Sequence, residues 1–334
     1  MKLATVQTIS NLENIEGADL IEKATILGWQ VVVKKGEYKV GDNCVYIQID
    51  TYMPPLPEYE FLKERKYRVR TIKLKKQISQ GLVIPLPEGA WRVGDDLTDL
   101  IGVTKYVKDI EDIAESKWLR RIWHYLTHMF KTKIRASFPK HLVPITDEER
   151  IQNIPEILEA RKGDLYVVSE KLDGSSITII MDKKKFRICS RRFELFKDNE
   201  WSQVFKSTQF KKYMLKLAGY YSTDNIIVQG EFIGKPQGNK YQLQQNEIRL
   251  FNIYVNGERL LQDHFYMVCK LFDIPCCPKI ETIPLDFTLQ EIIAYADGKS
   301  KLLGIDREGV VFRCIRTGFS FKVISNKFLI RNNE

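Results

Sequence analysis

Sixteen consecutive residues, Tyr166 to Met181 (YVVSEKLDGSSITIIM), restrict what this chain can fold into more than any other stretch. Apolar, β-branched residues lie on both sides of Lys171-Leu172-Asp173-Gly174, so the pattern predicts two strands joined by a tight connection that begins at Lys171. A lysine so placed is held in the fold. That matters chemically, because an amine attacks an electrophile only when neutral, and a free lysine with a pKa of ~10.4 is almost wholly protonated at neutral pH. Burial and nearby cations both lower that pKa. Gly174 allows the backbone to turn or to approach a ligand closely, and Asp173 can orient the amine or a water on a metal. A Lys-x-Asp-Gly string arises by chance in roughly one chain in ten of this length, so its meaning depends on what surrounds it.

With 334 residues the chain has room for two domains, each with its own core. Hydrophobic residues at 44% and aromatics at 11% exclude a disordered chain. The 52 Lys plus Arg against 43 Asp plus Glu leave +9, an excess that is informative only where it clusters. No apolar run is long enough to cross a bilayer, and the N-terminus (MKLATVQTIS) lacks the apolar core of a secretory signal, so the expected location is intracellular, with no membrane partner. Six cysteines without Cys-x-x-Cys spacing, and four scattered histidines, argue against a structural zinc site and for reduced, buried thiols.

Residues 1–105 read as a small all-β module. Short apolar runs, Glu22 to Leu27, Trp29 to Val33, Asn43 to Ile49 and Gly81 to Pro85, alternate with turn-type clusters such as Val40-Gly41-Asp42 and Gly94-Asp95-Asp96. The spacing fits an OB-type barrel. From Lys63 to Lys76 (KERKYRVRTIKLKK) eight residues are basic and one is acidic, and the alternation predicts a strand with cations along one exposed face. A charged edge strand explains some lysines, but eight cations exceed that need and point to nucleic-acid contact.

Residues 106–139 form a basic connector, in which Glu115 to Lys131 carries an apolar stripe (Trp118, Leu119, Ile122, Trp123, Leu126, Met129, Phe130) at helical spacing. His124 and His128 lie four apart, but no thiol or carboxylate near them in sequence completes a metal site. Thr146 and Glu149 have capping-box spacing, which predicts a short helix start. Residues 140–334 mix strands and helices, the helices including Trp201 to Leu217 and Leu289 to Ala296.

Within this second module five features follow one another in order, and Lys171 is the first. Arg191 and Arg192 end a strand-like run, and an always-charged fork suits phosphate or ribose. Glu231 ends the apolar run Ile226 to Gly234, where a salt bridge would explain it equally well. Phe251 and Tyr254 lie on Ile248 to Val255, and two late strands carry Glu308 and Lys322.

This ordered set resembles the covalent nucleotidyltransferase superfamily, which comprises ATP-dependent DNA and RNA ligases and messenger RNA capping enzymes. Lys171-Leu172-Asp173-Gly174 is similar to its nucleophile motif, Ser190-Arg191 to the second and Glu231-Phe232-Ile233-Gly234 to the third. Leu250-Phe251-Asn252-Ile253 resembles the aromatic nucleotide-sandwich motif, Glu308-Gly309-Val310-Val311 the fourth and Phe321-Lys322-Val323 the last. Capping enzymes and DNA ligases append an OB domain after that last motif. Here only Val323 to Glu334 follows Lys322 and the OB-like module comes first, an order most similar to RNA ligases of the Naegleria and Deinococcus type.

The resemblance implies an α+β fold: an ATP-grasp-like ligase domain of antiparallel sheets and helices behind a small OB barrel. It implies Lys171 as nucleophile towards ATP, with Glu170, Asp173, Gly174, Arg191, Phe251 and Lys322 around the nucleotide. Glu231 and Glu308 would hold Mg2+ or Mn2+, and the partner would be RNA, alone or with a duplex or splinted strand, met by a monomer. The alternatives are a GTP-using RNA guanylyltransferase and a non-catalytic RNA-binding protein derived from a ligase. One departure favours the latter: related ligases commonly carry two lysines in the last motif, and here Ile324 takes the second place, so either Lys322 suffices or Lys327 substitutes.

Overall fold

The computed structural model describes residues 2–106, 136–191, 193–195, 205, 209–235 and 238–332. The predicted connector helix, Glu115 to Lys131 with His124 and His128, lies outside them. Contacts divide the chain into two units, one holding Met1–Arg121, Ile151–Ile157 and Asn326–Glu334, the other Ile122–Arg150 and Leu158–Ser325. Among the described residues no helix is long and apolar enough to cross a membrane.

The first unit is a β-barrel module. Its five-stranded sheet runs in the order Trp29–Lys34, Ile21–Ile26, Ala4–Asn14, Asn43–Ile47, Leu82–Ile84, every neighbour antiparallel. Leu3, Val6, Val45, Ile47, Leu62, Val69 and Leu97 fill the interior. A hairpin, Thr71–Leu74 with Gln77–Gln80, turns on Lys75 and Lys76, both at positive φ, as a two-residue turn matched to strand twist requires. It meets the far edge of the sheet, where the Val32 N–H donates to Ser79 Oγ at 2.9 Å. Two stretches distant in sequence complete the unit. Trp29 Nε1 donates to Asn153 Oδ1 at 2.7 Å, and Gln80 Nε2 donates to Asn326 Oδ1 at 3.2 Å.

The basic stretch differs from its sequence pattern. Pro57–Arg65 is a 3-10 helix, and Lys66 and Tyr67 take positive φ, so the run breaks into the strands Arg68–Val69 and Thr71–Leu74. Arg68 is buried, pairs with Asp50 at 3.1 Å and lies over the Tyr106 ring. Buried stacking and pairing thus remove one cation from the expected row, while Lys63, Lys66, Lys73, Lys75 and Lys76 stay exposed.

The second unit is built on two sheets. A seven-stranded antiparallel sheet runs Ala136–Ser137, Phe193–Leu195, Lys185–Ser190, Ser175–Asp182, Ile226–Ile233, Glu247–Val255, Glu258–Arg259. Helices Phe210–Tyr220 and Gln262–Leu271 cover one face, with Phe210, Met214, Leu217, Phe265 and Val268 packed against Ile177, Ile179, Val228, Phe232 and Ile253. Of the predicted helix Trp201 to Leu217, Phe205 is helical and a helix runs from Phe210 to Tyr220, while residues 201–204 and 206–208 lie outside the described set. Leu289–Ala296 is a helix as expected, capped by a reciprocal Thr288 and Glu291 box.

A five-stranded sheet runs Glu149–Arg150, Ser320–Ile324, Gly309–Cys314, Leu165–Lys171, Lys279–Pro284, antiparallel except for its first pair. That pair overturns the predicted capping box at Thr146. Glu149 pairs in register with Phe321, and Thr146 Oγ1 bonds Ser176 Oγ at 2.9 Å, so sheet pairing wins over a local cap. Aromatic packing anchors this sheet: Phe312 and Phe321 stack at 5.0 Å, with Tyr166 edge-on to both. Phe312 is fully buried, so Phe312→Ala should cost about 3 to 5 kcal/mol of stability, read as a fall in urea midpoint.

Candidate active site

Strand pairing delivers the site residues from both sheets. Lys171 ends its strand opposite Gly309, which puts Glu308 beside the amine, and Lys171 Nζ donates to Glu308 Oε1 at 2.7 Å. Leu172 is buried with Ile233, Tyr241 and Cys277, so the turn after the lysine is pinned from within. Gly174 has a definite reason to lack a side chain. A Cβ there would stand 2.5 Å from the Phe232 carbonyl oxygen and 2.9 Å from Glu231 Cγ. The absent methyl lets the turn lie against the Ile226–Ile233 strand, which brings Glu231 to Lys171.

Burial on its own would lower the Lys171 pKa, but the carboxylates of Glu308, Glu231 and Asp173 outweigh it and hold the amine above its ordinary value. The neutral lysine expected from burial and cations is therefore not what these side chains by themselves favour. Glu231 is displaced too: burial, reinforced by Glu308 and Asp173, pushes its carboxyl up to about 8 against the pull of Lys171 and Arg191. Carboxylates that repel one another around an amine fit a hard divalent cation. No group of three His, Cys, Asp or Glu capable of holding a metal occurs among the described residues. Glu231 and Glu308, both acting on the Lys171 amine, suit an ion held by one or two carboxylates, with water and substrate phosphates completing its shell, as Mg2+ is held.

The other predicted residues divide. Phe251 is half-buried on Glu247–Val255 and joins the Leu172 cluster, so it borders the lysine turn. Lys322 is mostly buried and donates to Asp147 Oδ1 at 2.9 Å, and Arg191 donates to Asp147 Oδ2 at 2.5 Å. Burial, aided by Arg150 and Lys171, lowers the Lys322 pKa despite Asp147. Glu170 alternates to the opposite face of its strand from Lys171. Its carboxylate accepts the Lys301 N–H at 2.8 Å, and burial raises its pKa. Lys327 falls on the helix Asn326–Asn332, within the first unit. Arg192 lies outside the described residues.

An OB-fold domain model matches residues 3–86, and an RNA ligase model matches residues 164–324. No curated protein matches significantly. Among solved structures, a variant of the Naegleria gruberi RNA ligase with ATP and Mn is 31% identical, with 100% of each chain covered and a TM-score of 0.86. Another variant with ATP and Mn, and the ligase with PPi, are each 31% identical over 98% of both chains, with TM-scores of 0.84. The chain belongs to the RNA ligase family.

Sequence reading missed several residues that support the site of this RNA ligase. Tyr241 is buried and its hydroxyl accepts the Asp173 N–H at 2.8 Å, while Lys240 ion-pairs with the Asp173 carboxylate. Both come from a turn some seventy positions away, so no local pattern links them to the lysine. Arg313, buried on Gly309–Cys314, donates to the Phe251 carbonyl at 2.8 Å and to Glu148 at 2.6 Å, with its guanidinium over the Phe251 ring. Because Gly174 has no room for a methyl group, Gly174→Ala should destabilise the fold by about 1 to 3 kcal/mol. It should also slow lysine chemistry more than tenfold, measured by thermal melting and by nucleotide adduct formation.

Proposed function

We propose that this ATP-dependent RNA ligase joins an RNA 3′-hydroxyl to a 5′-phosphate in three nucleotidyl transfers, with Lys171 as nucleophile. The observation that carries the reading is the Lys171 amine at 2.7 Å from Glu308, in a pocket of carboxylates, in a chain of this family. Lys171 Nζ, once neutral, attacks the α-phosphorus of ATP; the bond to the bridging oxygen breaks, pyrophosphate leaves and lysyl-AMP remains. AMP then passes to the RNA 5′-phosphate. The 3′-hydroxyl attacks that phosphorus and expels AMP, so one difficult exchange becomes three displacements.

Each remaining residue has a part in this reading. Glu231 and Glu308 would hold Mg2+ or Mn2+, whose charge, when bound, offsets theirs at the amine and stabilises the phosphoryl oxygens. Lys322 would stabilise the α-phosphate, Arg191 would contact the ribose or the 5′-phosphate, and Asp173 and Gly174 would shape the turn that presents the amine. Phe251 would stack on adenine, worth ~1 to 3 kcal/mol by analogy with bases stacked on aromatics. Glu170 acts through the backbone segment at Lys301.

The module of residues 1–105, with its exposed lysines, would track the RNA backbone or a splinted partner strand, with 106–139 as connector and 140–334 as the adenylylating domain. The reading takes the ligase as a monomer inside the cell, where its six cysteines, all free thiols, stay reduced.

Intact-protein mass after incubation with ATP and Mn2+ or Mg2+ tests the nucleophile. One AMP should be gained with ATP, none with GTP, and none in Lys171→Met. A GMP gain, or no adduct in AMP-free protein under either metal, would overturn the reading. A second outcome concerns protons. Glu231, protonated below about 8 in the empty site, must shed its proton to hold a cation. Mn2+ binding at pH 7 should therefore release protons and tighten as the pH rises towards 8. Calorimetry in two buffers of different ionisation enthalpy counts the protons, and a heat independent of buffer would remove Glu231 from the metal site.

A further inference from the structure

Asp147 stands between the two cations that the proposed reaction assigns to phosphate and ribose. Its Oδ1 accepts from Lys322 Nζ at 2.9 Å and its Oδ2 from Arg191 Nη2 at 2.5 Å. The cations come from different sheets, Lys322 from Ser320–Ile324 and Arg191 from the end of Lys185–Ser190, so one carboxylate bridges both. Each oxygen takes one cation, as two oxygens of a phosphoryl group would.

The position of Asp147 is built in. On one side Thr146 Oγ1 bonds Ser176 Oγ at 2.9 Å, and on the other Glu148 is locked to buried Arg313 at 2.6 Å. The strand that follows pairs in parallel with the strand of Lys322, with Arg150 opposite that lysine. With both neighbours anchored, Asp147 is directed at the cations by the fold. The Lys322 side chain is 17% exposed and that of Arg191 46%, so one partner is preformed and the other is free to swing. A carboxylate left between Lys322 and Arg191 would repel an arriving phosphate, and one that yields would surrender both cations to it.

We infer that Asp147 is an internal placeholder for the nucleotide phosphate: it keeps Lys322 and Arg191 together in the empty site and is displaced when the triphosphate binds. It is a positioning residue, and it sets how tightly anionic ligands are held. Competition from Asp147 weakens ATP and AMP alike, because both carry the α-phosphate that the proposed reaction places on Lys322. The inference rests on Lys322 and Arg191 being phosphate and ribose contacts.

The test is calorimetric affinity for ATP, AMP and adenine in full-length Lys171→Met, which blocks covalent chemistry. The same background then carries Asp147→Asn, Asp147→Glu or Lys322→Ala. Asp147→Asn should tighten ATP and AMP by about tenfold and leave adenine unchanged, because the bare base reaches neither of the cations that Asp147 holds. Asp147→Glu, which keeps the charge, should stay within about threefold of the background protein. A merely structural role would move adenine and the melting temperature together. Weaker or unchanged ATP binding in Asp147→Asn, with ATP also weakened in Lys322→Ala, would overturn the placeholder while leaving the phosphate contact standing. Unchanged ATP binding in Lys322→Ala would overturn the contact itself, and the placeholder with it.

Discussion

The contact between the Lys171 amine and the Glu308 carboxylate is the interaction on which the site depends. It satisfies a charged group that would otherwise be costly to bury, and it fixes the amine at the end of its strand. The same contact suppresses reactivity, since carboxylates around an ammonium keep its proton on. In the proposed reaction the positive charge of a bound metal ion has to undo that state, so loss of the proton and entry of the metal are one event at this lysine.

Everything else brings those two residues, and Glu231, to one point. The seven-stranded sheet contributes Glu231, Phe251 and Arg191, and the five-stranded sheet contributes Lys171, Glu308 and Lys322. Each sheet is buried on at least part of its surface by aromatic or helical packing, so the strand ends are fixed to within the tolerance of a packed core. The turn at Gly174 is where the two sets of residues touch, and its missing methyl group is as much a part of the site as the charges.

Much of this was legible in the sequence because the strands announce themselves by alternation and β-branching, and the charged residues stand out at their ends. Lys171, Glu231, Glu308 and Lys322 all sit at or near such ends. Asp147, Tyr241 and Arg313 were not legible as site residues, because each acquires its meaning from a partner far away in the chain. The local signals that misled did so for the same reason. Thr146 and Glu149 have the spacing of a helix cap, but Glu149 pairs with Phe321 on a strand far along the chain and Thr146 bonds Ser176. Arg68 belongs to a basic run, yet Asp50 and Tyr106 draw it inside.

The make-up of the barrel unit has a bearing on biosynthesis. Gln80 bonds Asn326 across 246 positions, and Trp29 bonds Asn153 across 124. An amino-terminal module that recruits such distant residues cannot complete its packing as soon as it leaves the ribosome. It has to wait, with part of its surface uncovered, until Asn326 has left the ribosome, which exposes it to chaperones while the intervening residues are made.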